Sequence, residues 1–338
     1  MIMKYPKHLQ PPHDIDFVHG INIAWLDFGK DVGIHPITQE EYHPDWDTLD
    51  EIMELTVANG GNVIRWWYHT DGSTNPRLDD TKKALPNPDF FHQDVMQLLA
   101  MAASKGLKIQ ICLWSFDMLK TKEGVDAQAN KKLLTEVAHY TAYIENALLP
   151  LVNYIGAHPG LFAWEIFNEP EGMTHEYASH WEGFAERVTM EDIQRFINRT
   201  AAYIRNAQPD VKITSGALGF LSSIDDPKHG YQNRYSDQVL EDIGGEITGY
   251  LDFYNIHYYT WAKKEGSPFH TRYDAKKLDK RAIIAEYYPD PIFEIPSENL
   301  VNTLKHHGWH GSIVWSWTDK SWELIEKVLQ GGSDTDIT

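Results

Sequence analysis

Thiol chemistry is almost missing from this sequence. Cys112 is its only cysteine, so no internal disulfide forms and a metal site of several thiolates is excluded. Positive charge is scarce as well: 30 Lys and Arg stand against 49 Asp and Glu, a formal net charge of −19. A surface of that sign repels nucleic acid and anionic lipid, and neither is expected as a partner. Long apolar runs are lacking too. The start, Met1-Ile-Met-Lys-Tyr-Pro-Lys-His8, is too polar for a signal peptide, and no later stretch is long enough to span a bilayer. The chain reads as soluble, either secreted with its signal trimmed or cytoplasmic. Also missing are low-complexity stretches, linkers rich in Pro, Ser or Thr, and the short signatures of metalloproteases, P-loops, dinucleotide-binding turns and serine-hydrolase elbows. The clustered His306, His307 and His310, and the pair His175 and His180, follow no ligand spacing, so neither a metal nor any other cofactor is expected.

What is abundant is aromatic surface: 12 Trp, 17 Tyr and 13 Phe in 338 residues. Rings beyond the needs of a core suit a flat, neutral ligand. Short runs rich in β-branched and aromatic residues alternate with longer amphipathic stretches, the pattern of βα units. Eight strands are expected near His19–Trp25, Asn62–Tyr68, Lys108–Trp114, Leu161–Glu169, Val211–Leu218, Phe253–Tyr259, Ala282–Tyr288 and Ser312–Trp317. Between them lie helical faces such as Trp46, Leu49, Ile52 and Met53, and then Phe91, Val95, Leu98, Leu99 and Ala102 with Gly106 as the stop. Thr189 and Asp192 have capping-box spacing, and 296–307 reads as the helix before the last strand. Eight strands, each followed by a helix, make a (β/α)8 TIM barrel, with a doubly wound open sheet as the alternative. The whole of 1–338 reads as one catalytic barrel with its core over about 18–330. Helix-to-strand connections are short (Ala58–Gly61, Lys105–Gly106, Gly308–Gly311). Strand-to-helix connections are long (His69–Pro88, Pro170–Thr189, Gly219–Gln232, Thr260–Lys280), which places them at the C-terminal face where such barrels keep their sites.

The strand ends carry the chemistry. Pro170 stops the fourth strand and leaves Asn168 and Glu169 at the rim. On the seventh strand, strict alternation places Glu286 on the face of Ile284 and Ala282. Strands four and seven face each other across a closed barrel, so the two glutamates meet. Facing carboxylates suit glycosidic-bond cleavage, one carrying a proton and the other ionised. A gap of about 5–5.5 Å gives a covalent intermediate and retention, and about 6.5–9.5 Å gives inversion. Arg65, ending the second strand, can hold a carboxylate as an anion. His257 and Tyr259 offer donors to a sugar or to Glu286. Trp315 is expected to present its face to a pyranose, with Trp66, Trp67, Trp114 and Trp181 as further candidates. Glu165 reads as a buried structural carboxylate and Glu171, past the proline, as solvated.

These residues resemble the glycoside hydrolases of clan A, and among them family 5, over about Gly20 to Asp319. The resemblance implies that Glu169 is the acid/base, that Asn168 binds the sugar 2-hydroxyl and that Glu286 is the nucleophile. Arg65, the His257-x-Tyr259 pair and Trp315 match the clan's second-, sixth- and eighth-strand residues. Asn62-Val-Ile-Arg65-Trp66 followed by Asp71-Gly72, and Trp164-Glu-Ile-Phe-Asn-Glu-Pro170, look most like β-1,4-mannanases. Trp114-Ser115-Phe116-Asp117 departs from many family-5 cellulases, which carry a His after this strand. The expected substrate is a neutral β-linked oligo- or polysaccharide, mannan first. A β-1,4-glucanase and an exo-acting relative are the alternatives within the enzymes, and a non-catalytic carbohydrate-binding barrel the alternative outside them. A barrel aldolase would need a Schiff-base lysine at the rim, but Lys108 and Lys212 begin their strands at the other face. Endo or exo action, oligomeric state and localisation are not legible.

Overall fold

A computed structural model describes residues 16–332; the polar start Met1–His8 lies outside them. The eight barrel strands are β1 (Val18–Ala24), β2 (Val63–Thr70), β3 (Lys108–Ser115), β4 (Leu161–Asn168), β5 (Lys212–Ala217), β6 (Tyr254–His257), β7 (Ala282–Glu286) and β8 (Gly311–Val314). Each pairs in parallel with its sequence neighbour, and β8 pairs with β1, which closes the barrel. All eight expected strands are present. A small antiparallel hairpin, Gly33–Ile34 with Glu41–Tyr42, decorates the β1 connection. No helix among the described residues is long and apolar enough to cross a membrane.

Local chemistry sets the helices. Met190–Ala207 starts at a complete capping box: the Thr189 hydroxyl accepts from the Asp192 backbone, and the Asp192 carboxylate accepts from the Thr189 N–H. Its Ile193, Phe196, Ile197 and Ile204 are buried against the barrel. Asp89–Ser104 buries the five expected apolar residues and is followed by Gly106 at φ +78, a left-handed position that favours glycine. One expected helix is replaced. Between β6 and β7 the described chain forms only 3-10 turns, at Thr260–Ala262, Lys264–Gly266 and Tyr273–Lys276. That stretch has no apolar repeat of helical period, and Gly266 and Pro268 interrupt it.

Two layers of side chains form the core. Leucines, isoleucines and aromatics from strand and helix pack outside the barrel, while Val18, Val63, Phe162, Phe253, Ile283, Ala285 and Ile313 fill its floor. Gly20 on β1 is obligatory, because a Cβ there would overlap the Val63 carbonyl of β2. Inward and outward positions do not alternate to the strand ends. Pairing shifts register between Glu165 and Asn168 on β4, between Ile256 and His257 on β6, and between Trp67 and Thr70 on β2. Bulges of this kind re-aim side chains, and here they sit directly beneath the rim.

Replacing Thr189 with Ala removes one half of the capping box. The variant should lose about 0.5–2 kcal/mol of stability in chemical denaturation, with its secondary structure by circular dichroism unchanged.

Candidate active site

The floor of the site is a buried ion group. Arg65 of β2 is fully buried. Its Nε and Nη2 donate to the two carboxylate oxygens of Glu165 at 2.6 and 2.8 Å, a fork-to-fork pair. Its Nη1 donates to Glu286 Oε1 at 2.5 Å and to Asn22 Oδ1 at 2.8 Å, and its Nη2 also reaches Asn168 Oδ1 at 2.8 Å. Gln110 of β3 adds a donor to Glu165 at 2.8 Å. Burial alone would favour loss of the Arg65 proton, but Glu165 and Glu286 more than offset it, so the charge is fixed. Glu165 is thus the buried, paired carboxylate that the sequence suggested. Arg65 works by orienting Glu286 and lies too deep to touch a ligand.

Glu286 does not share the face of Ile284 and Ala282 as alternation implied. Those two residues pack in the outer layer, and Ile283 and Ala285 face the floor. The register shift opposite His257 lets Glu286 turn inward directly after Ala285. There the Tyr259 hydroxyl donates to Glu286 Oε2 at 2.9 Å. His257 Nδ1 lies 2.8 Å from Glu169 Oε1 and 3.3 Å from Glu286 Oε2, so one imidazole bridges the two carboxyls. Glu169 itself has left-handed backbone at φ 46, ψ 52, between Asn168 and Pro170. Such a conformation costs a non-glycine residue of order 1–3 kcal/mol and needs support around it. The support includes a bond from its N–H to the Gly216 carbonyl at 2.8 Å. Gly216 is glycine for a steric reason, since a Cβ would overlap Glu165 and press on the His257 ring.

Oxygens of Glu169 and Glu286 and a nitrogen of His257 all lie within 4.8 Å of one another. Three such groups can in general ligate a metal ion, but the Arg65 guanidinium already occupies Glu286 and would oppose a cation. The arrangement is that of two carboxyls sharing a proton. Burial pushes Glu169 up to about 8, helped by the negative charge of Glu171 and opposed by Arg65. Burial also raises Glu286, while His257, Arg65 and the Tyr259 hydroxyl pull it back. The contacts divide the pair: Glu286 meets a guanidinium and a phenol, and Glu169 meets only the imidazole. Glu286 is therefore the ionised member. Burial holds His257 below its usual value and keeps the Tyr259 hydroxyl protonated, so both are donors without net charge.

Aromatic walls complete the rim, with two corrections. Trp66 and Trp114 are fully buried. Trp66 packs in the outer layer and bonds Asp31 at 3.1 Å; Trp114 stacks on His69 and bonds the Tyr143 hydroxyl at 3.1 Å. Neither has a face to offer a sugar. Trp315 is nearly buried too, 8% exposed, and packs at 5.9 Å from Trp67 and 5.6 Å from Trp25, with its indole N–H fixed by Asp319 at 2.6 Å. Trp181 lies on the β4 loop against Phe116 at 5.6 Å. Glu171 is the second correction, being buried rather than solvated. Asn22 escaped the sequence reading, although its even parity with Gly20 on β1 points it inward.

No family model matches the chain. The mannan endo-1,4-β-mannosidase of Mytilus edulis is 27% identical over 330 residues, covering 93% of this chain and 87% of that protein. The enzyme of the same name from Cryptopygus antarcticus is 28% identical over 323 residues, covering 88% of this chain and 80% of its own. Among solved structures, the β-mannanase of the blue mussel Mytilus edulis superposes with a TM-score of 0.82 at 26% identity, covering 95% of this chain and 92% of that one. The endo-1,4-β-mannanase of Eisenia fetida gives a TM-score of 0.80 at 25% identity, covering 93% and 90%. The chain is homologous in sequence and structure to these mannanases across most of its length. The homology runs through the whole barrel, and a glycosidase with a carbohydrate substrate follows from it.

Arg65→Met should leave Glu165 and Glu286 buried without their cation. Loss of about 3–5 kcal/mol in urea or guanidinium unfolding is expected; a change of less than about 1 kcal/mol, the level of an exposed pair, would contradict the buried fork.

Proposed function

We propose that this chain hydrolyses internal β-1,4-mannosidic linkages of mannan with retention, by double displacement. The observation that carries the reading is the Glu169–Glu286 pair, close-set across the barrel with Arg65 holding only one of them. A separation of this order leaves no room for a water between carboxylate and sugar, which suits a covalent intermediate. Glu286 attacks the anomeric carbon while Glu169 gives its proton to the leaving oxygen. Once Glu286 is esterified its negative charge is gone, the affinity of Glu169 for a proton falls, and Glu169 takes the proton from the incoming water. His257 and Tyr259 keep the nucleophile oriented throughout. Asn168, held by Arg65, lies beside the sugar 2-hydroxyl in this reading, and Trp315 offers the platform.

Support for mannan and for endo action comes from the two curated relatives, both endo-mannosidases by name and both covered over most of their length. Beside His257 a cavity of about 550 Å³ opens, lined by Phe220, Tyr231, Tyr258 and Trp261, and Trp261 is 57% exposed. That volume is of the size that holds sugar-sized ligands, and it adjoins the pair through His257, since neither Glu169 nor Glu286 lines it. Product analysis on mannan, glucomannan and carboxymethyl cellulose tests the reading. Internal cuts in the first two and none in the third are expected; preference for carboxymethyl cellulose would make the chain a glucanase.

Two outcomes follow from the roles. Glu286→Gln should lower kcat by several orders of magnitude on every substrate. Glu169→Ala should slow mannan cleavage by about 10²–10⁴-fold, yet barely slow the first step on aryl mannosides whose leaving group needs no proton; equal losses on both substrates would remove its role as acid. The acid must be protonated to act. With Glu169 pushed up to about 8, kcat/KM should be sustained below that pH and fall as pH rises through it, and a limb in the ordinary glutamate range would contradict the assignment.

A further inference from the structure

Directly after the acid/base the chain does something unusual for a polar rim. Pro170–Met173 form a single 3-10 turn, closed by the Gly172 N–H on the Glu169 carbonyl at 2.9 Å. This turn carries Glu171 back inside, where it is wholly buried. Its Oε1 accepts from the hydroxyls of Ser222 and of Tyr235, the latter at 2.5 Å, and its Oε2 accepts from the Leu218 N–H at 3.1 Å. All three donors come from the chain leaving β5, and all three are neutral. A carboxylate buried on neutral donors alone is costly, because nothing cancels its charge. A solvated surface residue, or an apolar one, would close the same turn without that cost.

We propose that Glu171 is a positioning residue for the acid/base: its carboxylate locks the turn that presents Glu169 to β5, and its uncancelled charge holds the proton on Glu169. The inference rests on the assignment of Glu169 as acid. The electrostatics around Glu169 have the matching signs. Glu171 opposes ionisation of Glu169 second only to burial, Asp117 adds to it, and Arg65 and Lys120 work against it. On the other flank His257 and Glu286 face the same carboxyl. Around Glu171 lie Tyr235, Tyr177 and Glu176; its charge helps keep both phenols protonated. Arg234 spends its Nε on the Tyr177 hydroxyl at 2.9 Å. Arg65 thus reaches Glu165 and Glu286 but neither Glu169 nor Glu171, and Glu171 adds to the burial that keeps the proton on Glu169.

Glu171→Gln separates charge from shape. Its amide oxygen can take the Leu218 N–H, and its NH2 can meet Ser222 and Tyr235 after their hydroxyls rotate. The alkaline limb of kcat/KM on manno-oligosaccharide should move down by roughly one pH unit, the scale of one buried like charge, with thermal stability measured alongside. Tyr235→Phe keeps the charge and removes one strut, so its limb should stay in place. An unmoved limb in an active, folded Glu171→Gln variant overturns the proposal, and so does an equal move in both variants, which would make the role merely structural. If Glu171→Gln does not fold, carboxyl-13C NMR titration of the unaltered protein decides: Glu171 must be ionised while Glu169 is still protonated, and the reverse order overturns it. Wild-type chain that releases no reducing ends from mannan would instead strike at the proposed function, and is told apart by that result alone.

Discussion

One guanidinium organises the site. Arg65 receives Glu165 from below, Glu286 from across the barrel, Asn22 from β1 and Asn168 from β4. Three strands, β1, β4 and β7, are therefore pinned to one planar group carried by β2, whose donors have a fixed geometry. A lysine would supply the charge but not the fork. Because the group is buried, its interactions are barely screened, and removing the guanidinium would strand its carboxylate partners. The same group also divides labour between the two glutamates. It touches Glu286 and not Glu169, so one carboxyl is held as an anion and the other is left to burial, which protonates it. Function follows from this asymmetry more than from the presence of two acids.

Backbone irregularity delivers the side chains to that guanidinium. A regular barrel would point Glu286 to the helices and Asn168 away from Glu165. Register shifts on β4 and β6 correct both, and the left-handed turn at Glu169 swings the acid over the cleft. Bulges need an unpaired residue and the left-handed turn carries strain, so the surrounding sheet must hold them. Gly216, with no Cβ, gives His257 and Glu165 the room they need. The site geometry is a departure from ideal strand structure, concentrated near the C-terminal ends of the strands.

Much of this was legible in the sequence, for identifiable reasons. The eight strands show as runs such as Ile21–Ala24 and Ala282–Ala285 because parallel strands are buried on both faces. The capping box at Thr189 is local chemistry and survives intact. Glu169 was placed at the rim because Pro170 marks a strand end, and the structure has β4 end at Asn168. What failed was whatever depends on distant chain. Glu171 reads as surface because a proline precedes it, yet its partners are 47, 51 and 64 residues away. Trp66 was misjudged although the signal was there: with Arg65 inward, its neighbour faces outward and Trp67 is the ring beside Trp315. The parity of Glu286 was misjudged because a bulge leaves no mark in sequence. The absent helix after β6 was visible in the Gly and Pro of that stretch, but the count of eight units argued against it.

Glu286 is met by the Arg65 guanidinium from β2 and by the His257 imidazole and Tyr259 hydroxyl from the end of β6. Two of them keep a second anchor: Arg65 is held by Glu165 and His257 by Glu169, while the Tyr259 ring packs on Tyr288. Deleting that one side chain would leave a preformed receptor for a small anion, sized for fluoride, azide or formate. A sugar activated as its α-fluoride would seat the halide among those donors, and the remaining base would deprotonate an acceptor alcohol. The scaffold that degrades a polymer thus already holds what is needed to assemble one.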